Sequence, residues 1–395
     1  MYLNEDRLFT TKRLRTYGTA LLTIYLVGFA VLLVSQVWPV DAAGHPAFID
    51  FVFLWSAGQL VRAGTGKLAY DYAAISALQA PLVGASKGVF PYFHFPYPPQ
   101  TLLFVAPLGM FGFAKAFTVW VGGTGALYLL ALRRIVPHPM TWFVALLTPC
   151  VAMNAYIGQT GLLLAALLGF ALVSISARPI LGGIFLGLLT YKPQFGVLFP
   201  AVLIVSGQWR ALFSAVSTTA ILLMLTTWAF GTDVWEVYRL AMRGTNTGNF
   251  TTDVELTAVI QTVFGVMDFL GAPLAVKWAA HLAVTGAVAA LVCVISRRPG
   301  RAALKAAALA IGALLATPYM IAYDLIAVSV PAAFIVRDGL QSGFRRGDRL
   351  ALFGCFLALF ASLHLPVGPV ILIVMLALVT RRLHSSPDAP PQSPH

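Results

Sequence analysis

Apolar residues in this chain come in long runs separated by short polar joints. Runs of about 17 to 25 apolar residues are long enough to cross a bilayer as helices. The candidates are 17–38, 97–113, 116–132, 139–157, 160–177, 211–230, 273–296, 350–364 and 366–380. Two further stretches, 180–207 and 302–336, exceed one span and are interrupted by Lys192-Pro193 and by Pro318. Proline removes a backbone donor, so each predicts a broken or paired set of short helices. Their freed groups must be satisfied inside protein or in a wet cavity. The pattern predicts an all-α, polytopic integral membrane bundle of about 10–13 helices. One domain covers 1–384, and the Pro- and Ser-rich segment 385–395 reads as a disordered tail.

Charge at the joints orients the spans. Lys12, Arg13 and Arg15 precede an apolar run longer than a signal-peptide core, which reads as a retained anchor with the N-terminus in the cytoplasm. The clusters Arg133-Arg134, Arg178, Arg210, Arg297-Arg298-Arg301-Lys305, Arg337 to Arg349 and Arg381-Arg382 are assigned to the same side by the positive-inside rule. Segments 39–96 and 231–272 then lie outside, as a first outer loop and a second outer segment. One parity conflict follows: 97–132 reads as two spans, yet only one crossing is allowed if Arg133 is inside, so one of the two is re-entrant. Within the first loop, Asp50 to Leu60 and Tyr70 to Leu82 are apolar stretches suited to interfacial helices lying along the membrane surface.

Composition sharpens the class. Of 395 residues 59% are hydrophobic and only 10% charged, where soluble proteins carry roughly a quarter charged. The formal charge of +12 is dispersed among the joints, not gathered on one face, so no nucleic-acid partner is expected. Cys150, Cys293 and Cys355 lie far apart in apolar runs and read as small hydrophobes.

Several polar residues stand out against this background. Asp50 lies between Ile49 and Phe51-Val52-Phe53-Leu54-Trp55. A partly desolvated carboxylate there serves as a general base, with Asp41 as its competitor, or it simply caps a helix. In YFHFPYPPQTLLFVAPL (92–108), Pro98-Pro99 fixes an extended entry that aims Tyr97 and His94, while Tyr92 and Phe93 suit the interfacial aromatic belt. NAYIGQTG (154–161) sets Asn154 and Gln159 at an outer junction, as caps or as partners of a sugar hydroxyl. Lys192, inside LLTYKPQFG (188–196), is an ammonium within an apolar stretch. An intramembrane charge of that kind points to a functional site with an anion such as a lipid phosphate, to snorkelling, or to a structural ion pair. ATPYMIAYDLI (316–326) sets Tyr319, Tyr323 and Asp324 on or near one helical face, with Asp324 paired to Lys192 or an arginine, or binding substrate. Arg239 and Arg243 are the outer cations of the second segment. GTGK at 64–67 lacks the spacing of a phosphate loop, the glycines of VGGTGALY suit helix packing, and the sequon at 249–251 is short enough to arise by chance.

Four stretches in order, IDFVFLWSAGQLVRAGTGKLAYD, YPPQTLLFVAPL, IGQTGLLLAAL and GGIFLGLLTYKPQFG, resemble glycosyltransferase family 87 over about residues 45 to 200. TPYMIAYDL extends the likeness loosely. That group contains bacterial mannosyltransferases that draw on polyprenyl-phosphate-mannose. The resemblance implies a GT-C fold whose first large outer loop carries the catalytic Asp. It implies transfer of a hexose, mannose above all, from a polyprenyl-phosphate donor to a lipid or glycan acceptor, with inversion and without metal or other cofactor. On it, Asp50 is the general base, Lys192 a phosphate contact, and Gln159 and Tyr97 line the site. The expected location is the inner membrane with the site on the periplasmic face. The rival readings are a glycan polymerase or ligase using a lipid-pyrophosphate donor, and a lipid or sugar transporter.

Overall fold

The structure is a computed structural model that describes residues 9–41, 50–83, 95–246 and 258–384. His94, the sequon at 249–251 and the tail from 385 lie outside the described residues. Among the described residues every named element is a helix, and an isolated bridge joins Ile260 to Ile321. In order the helices are α1 (Thr11–Val34), α2 (Phe51–Arg62), α3 (Tyr72–Val83), α4 (Thr101–Val105), α5 (Phe113–Ile135), α6 (Thr141–Leu146), α7 (Pro149–Ile157), α8 (Gly161–Ile175) and α9 (Pro179–Leu188). They continue as α10 (Phe199–Val205), α11 (Trp209–Phe230), α12 (Asp233–Asn246), α13 (Val263–Phe269), α14 (Leu274–Arg297), α15 (Ala302–Leu315), α16 (Ser329–Ser342), α17 (Asp348–Ala358) and α18 (Gly368–His384).

Five segments are long and apolar enough to cross a membrane: α1, α5, α11, α14 and the continuous stretch Ala322–Ser342 that ends in α16. Shorter apolar helices, α8 and α15 among them, stand beside these. The chain is therefore a multi-pass, all-α membrane protein. Ile24, Leu26 and Val34 of α1 and Met224 and Trp228 of α11 are exposed on its outside, as a lipid-facing surface requires. Helices α8 and α15 form the interior, with Leu162 to Gly169 and Ala307 to Leu315 buried. Their Ala and Gly content lets neighbouring backbones come close, the main source of helix association where lipid is as apolar as leucine.

Of the two apolar stretches expected to span within 97–132, the first is too short for a full crossing. Thr101–Met110 is a ten-residue helical stretch, about 15 Å long at 1.5 Å per residue, half of a bilayer core of about 30 Å. It packs against α2, and Gly58 and Gly109 make this contact possible: a Cβ on Gly58 would lie 2.6 Å from the Val105 carbonyl oxygen. Helix α5 is the one helix of this region long and apolar enough to cross.

The segment expected to be the first outer loop contains both helices, but α2 is enclosed by protein instead of lying on a surface. Phe51, Val52, Phe53, Leu54, Ala57 and Leu60 are all buried. Their positions encircle the helix, and a helix apolar all round is a buried one.

The molecule has two polar poles. At one, α2, the end of α7, a break at Lys192 and the start of Ala322–Val328 converge. At the other, the ends of four helices are tied by ions. Arg301 at the start of α15 forks onto Asp338 of α16 through Nε (2.9 Å) and Nη2 (2.6 Å). Arg382 of α18 donates to Asp338 at 2.7 Å and also bonds Asp348 of α17. Arg382 is only 1% exposed, and two carboxylates with the Gly343 carbonyl satisfy its donors.

Candidate active site

The site begins at a turn that only glycine fits. Helix α7 ends at Gly158, whose φ of +69° is left-handed and whose N–H bonds the Asn154 carbonyl at 2.9 Å. A Cβ there would lie 2.6 Å from Phe51 Cβ and 2.7 Å from the Phe117 ring. This close approach sets the next residue, Gln159, beside Asp50. The Gln159 amide nitrogen donates to Asp50 Oδ2 at 2.8 Å, and its amide oxygen accepts from the Tyr97 hydroxyl at 3.1 Å. The same hydroxyl shares a 3.0 Å bond with Thr160 Oγ1.

Asp50 is not the helix cap that its position before α2 allows. A capping residue needs an extended backbone so that its side chain folds back on the first turn. Asp50 is already helical (φ −55°, ψ −26°) and makes no capping bond. Its carboxylate is turned to the polar pole instead. Burial raises its carboxyl above the ordinary range, opposed by the Gln159 hydrogen bond and then by the charge of Lys192.

Tyr97 is positioned from both sides. Pro98-Pro99 holds the entry to α4, and the Tyr70 hydroxyl, from the stretch KLAYD, donates to the Tyr97 carbonyl at 2.8 Å. Gln100, just beyond the prolines, donates to the Thr190 carbonyl at 2.8 Å. That carbonyl belongs to the break after α9, where Leu189–Tyr191 tightens into a 3₁₀ turn and Lys192 becomes extended before Pro193. Gln100 thus satisfies a backbone group that the proline break releases.

Lys192 is 3% exposed and donates to Asp324 Oδ1 at 2.6 Å. Its Nζ lies 5.0 Å from the Tyr323 ring centre and 5.6 Å from that of Tyr97. An ion pair between aromatic faces is how a buried ammonium is retained in an apolar bundle. Asp50, Gln159, Tyr97, Lys192 and Asp324 therefore form one cluster, although the sequence separates its ends by more than 270 positions. A carboxylate, a neutral amide bridge, a phenol and a cation in one enclosed pole can accept a proton and stabilise a departing anion.

The remaining candidates have other placements, although Tyr319 is near enough to Asp324 and Asp50 to feel their charge. Asn154 is fully occupied: it donates to the Cys150 and Tyr323 carbonyls, both at 2.8 Å, and accepts from the Gly161 N–H. It pins α7 to the Ala322–Val328 turn, with both amide protons used and the side chain fully buried. Tyr319 does not share a helical face with Tyr323 and Asp324, because it precedes the helix in the extended stretch that bridges Ile260. It is 48% exposed, whereas Tyr323 and Asp324 are buried. Arg239 is committed to Glu236, at 2.8 Å through Nε, on exposed α12. Asp41 is exposed. Thr160 and Gln100 escaped the sequence reading, since neither is unusual in its segment; each is adjacent to a residue that was singled out.

A helical membrane scaffold thus brings an acid, an amide, a phenol and a buried lysine–aspartate pair together at one pole. The family model for glycosyltransferase family 87 matches residues 95–318, more than half of the 395-residue chain. The chain belongs to that family and is a membrane glycosyltransferase. The match takes in Tyr97, Gln159 and Lys192, while Asp50 and Asp324 lie on either side of it. No curated protein and no solved structure matches the chain.

Proposed function

We propose that this enzyme moves a hexose, with mannose the first candidate, from a polyprenyl-phosphate donor to a lipid or glycan acceptor on the outer face of the inner membrane. Asp50 is the general base. The observation that carries the reading is the Asp50 carboxylate, freed from capping, held by the Gln159 amide and close enough to Lys192 to feel its charge.

The acceptor hydroxyl gives its proton to Asp50 as its oxygen bonds the anomeric carbon. The bond from that carbon to the phosphate oxygen breaks, and polyprenyl phosphate leaves with the electron pair through an oxocarbenium-like transition state. With Asp50 ionised, as a base must be, and Lys192 paired to Asp324, the three groups together hold one net negative charge. Taking the acceptor's proton neutralises that charge, so a second anion can develop on the leaving phosphate with less repulsion. Tyr97 and Gln159 line the site and keep the base aimed, and Asp324 holds Lys192 in place. A pyrophosphate donor would call for an outer arginine cluster, and Arg239 is already paired at the surface.

The test uses purified protein in nanodiscs with radiolabelled polyprenyl-phosphate-mannose, total membrane lipid as acceptor and EDTA present. Wild type should make a labelled product. Asp50→Asn should lose roughly 10²- to 10⁴-fold in rate, the contribution of one placed base. Full activity of folded Asp50→Asn sinks the assignment of the base and makes Asp41 the next to test.

A further inference from the structure

At the pole opposite the active site, the chain carries a second cationic site. A cavity of about 360 Å³ is lined by Arg178, Pro179, Ile180, Leu181, Ile184 and Arg210. It lies between the starts of α9 and α11, which run side by side in the same direction. Gly183 faces Ser214, with a hypothetical Cβ 2.6 Å from the Ser214 Cβ, and one turn later Gly187 faces Thr218. Ser214 donates to the Ile180 carbonyl at 2.7 Å, fixing the register. Both arginines thus stand on the same level at the rim.

That rim is remote from the site described above. Helix α11 runs from Arg210 to Phe230, whose ring lies against Gly66 of the outer loop. Its 22 residues place the two ends about 33 Å apart. Both guanidiniums are exposed, and among the described residues neither side chain makes a hydrogen bond or ion pair. Other arginines of this side, such as Arg301 and Arg382, are tied to carboxylates. Below the two charges the cavity wall is Ile180, Leu181 and Ile184, with Ile180 and Ile184 exposed toward the surrounding lipid and Trp209 exposed beside them.

We infer that this cavity is a binding site for an anionic phospholipid, whose phosphate is forked by Arg178 and Arg210 while its acyl chains lie along Ile180 and Ile184. Three features select a lipid over a free anion. The charges sit at the ends of membrane helices, where headgroups lie. The wall beneath them is apolar and continuous with the lipid-facing surface. An exposed Trp at the same level is an interfacial anchor. The volume is near the lower end of small-molecule sites, about 300–1,000 Å³, enough for a headgroup. Guanidinium is the side chain suited to phosphate, since it binds two oxygens at once.

The experiment measures lipid retained by the purified full chain, by native mass spectrometry, during titration with phosphatidylglycerol or with phosphatidylcholine of the same acyl chains. A third titration uses inorganic phosphate and follows the thermal unfolding midpoint. Wild type should retain phosphatidylglycerol selectively, and phosphate alone should shift nothing. Arg178→Gln with Arg210→Gln should weaken retention about 30-fold, from about fivefold per arginine at a headgroup surface. Arg297→Gln with Arg298→Gln, two exposed cations elsewhere on the same side, should leave it unchanged. Equal retention by the Arg178/Arg210 variant, equal loss in the Arg297/Arg298 variant, or a phosphate effect matching that of the lipid each overturns the proposal. If the double glutamine variant does not fold, Arg178→Gln alone serves, with a fivefold loss expected and no loss overturning it.

Discussion

At the scale of the residue, the informative fact is that Asp50 ends up where ionising it is unfavourable. Burial raises its carboxyl above the usual value of about 4. A base acts when ionised, so kcat/KM should climb with pH through that raised value, on an acid limb displaced upward from an ordinary aspartate. Gln159→Leu removes the amide donor that favours the ionised form. The limb should then move to still higher pH and the plateau should fall, which pH–rate profiles of the two proteins will reveal; a limb at unchanged pH would remove Gln159 as the residue that holds the base. The stability consequence has a definite sign. A carboxyl raised on folding favours the fold below its unfolded value, and that contribution is lost as pH rises to the folded value. Asp50→Asn should therefore be no less heat-stable than wild type at neutral pH, so its loss of activity would be chemical. The identity of Asp50 as a notable acid was readable from its apolar flanks. That it does not cap its helix was not, because capping depends on a backbone angle and on a partner 109 positions away.

At the scale of the element, the broken helix around Lys192 matters most. Leu189–Tyr191 and Pro193–Gly196 are short turns that meet at an extended lysine, and Asp324 from another segment neutralises it. Removing one member of a buried ion pair costs roughly 3–5 kcal/mol, because the other charge is left alone. Lys192→Met should lower the thermal midpoint strongly, and adding Asp324→Asn should recover most of the loss. Transfer should not return in the double variant if the cation acts on the departing phosphate. A double variant with wild-type rate would make the pair purely structural. The break itself was legible, since Lys-Pro within an apolar run cannot continue a helix without releasing backbone groups. Its partner was one of several open choices until packing brought Asp324 to 2.6 Å.

At the scale of the molecule, the two poles make a prediction about orientation. The pole with Asp50 should face outward and the one with Arg301, Asp338 and Arg382 inward, as the placement of basic residues demands. In a background with Cys293→Ala, the two remaining native cysteines are buried. A membrane-impermeant maleimide on intact cells should label Ala63→Cys, at the exposed end of α2. Gln341→Cys, exposed near the end of α16, should react only after permeabilisation. The reverse pattern would overturn the orientation and with it the outer-face reading of the reaction.

The sequence by itself determined the helical membrane class, most of the helix boundaries and the two proline breaks, and it sets the expected sidedness of the basic joints. These follow from local physics: an apolar run must satisfy its own backbone in lipid, proline cannot donate, and cations remain at the water interface. Tertiary structure decided that only one of two apolar stretches near 97–132 forms a helix long enough to cross, that α2 is enclosed rather than superficial, and that Asn154 is a brace while Gln159 is a bridge. It also decided that Asp50, Gln159, Tyr97, Lys192 and Asp324 are neighbours. Those outcomes depend on the Gly58–Gly109 approach, the left-handed Gly158 and the pairing of charges from distant segments. Such contacts are set by the shape of the whole bundle, and no local window of the chain contains that shape.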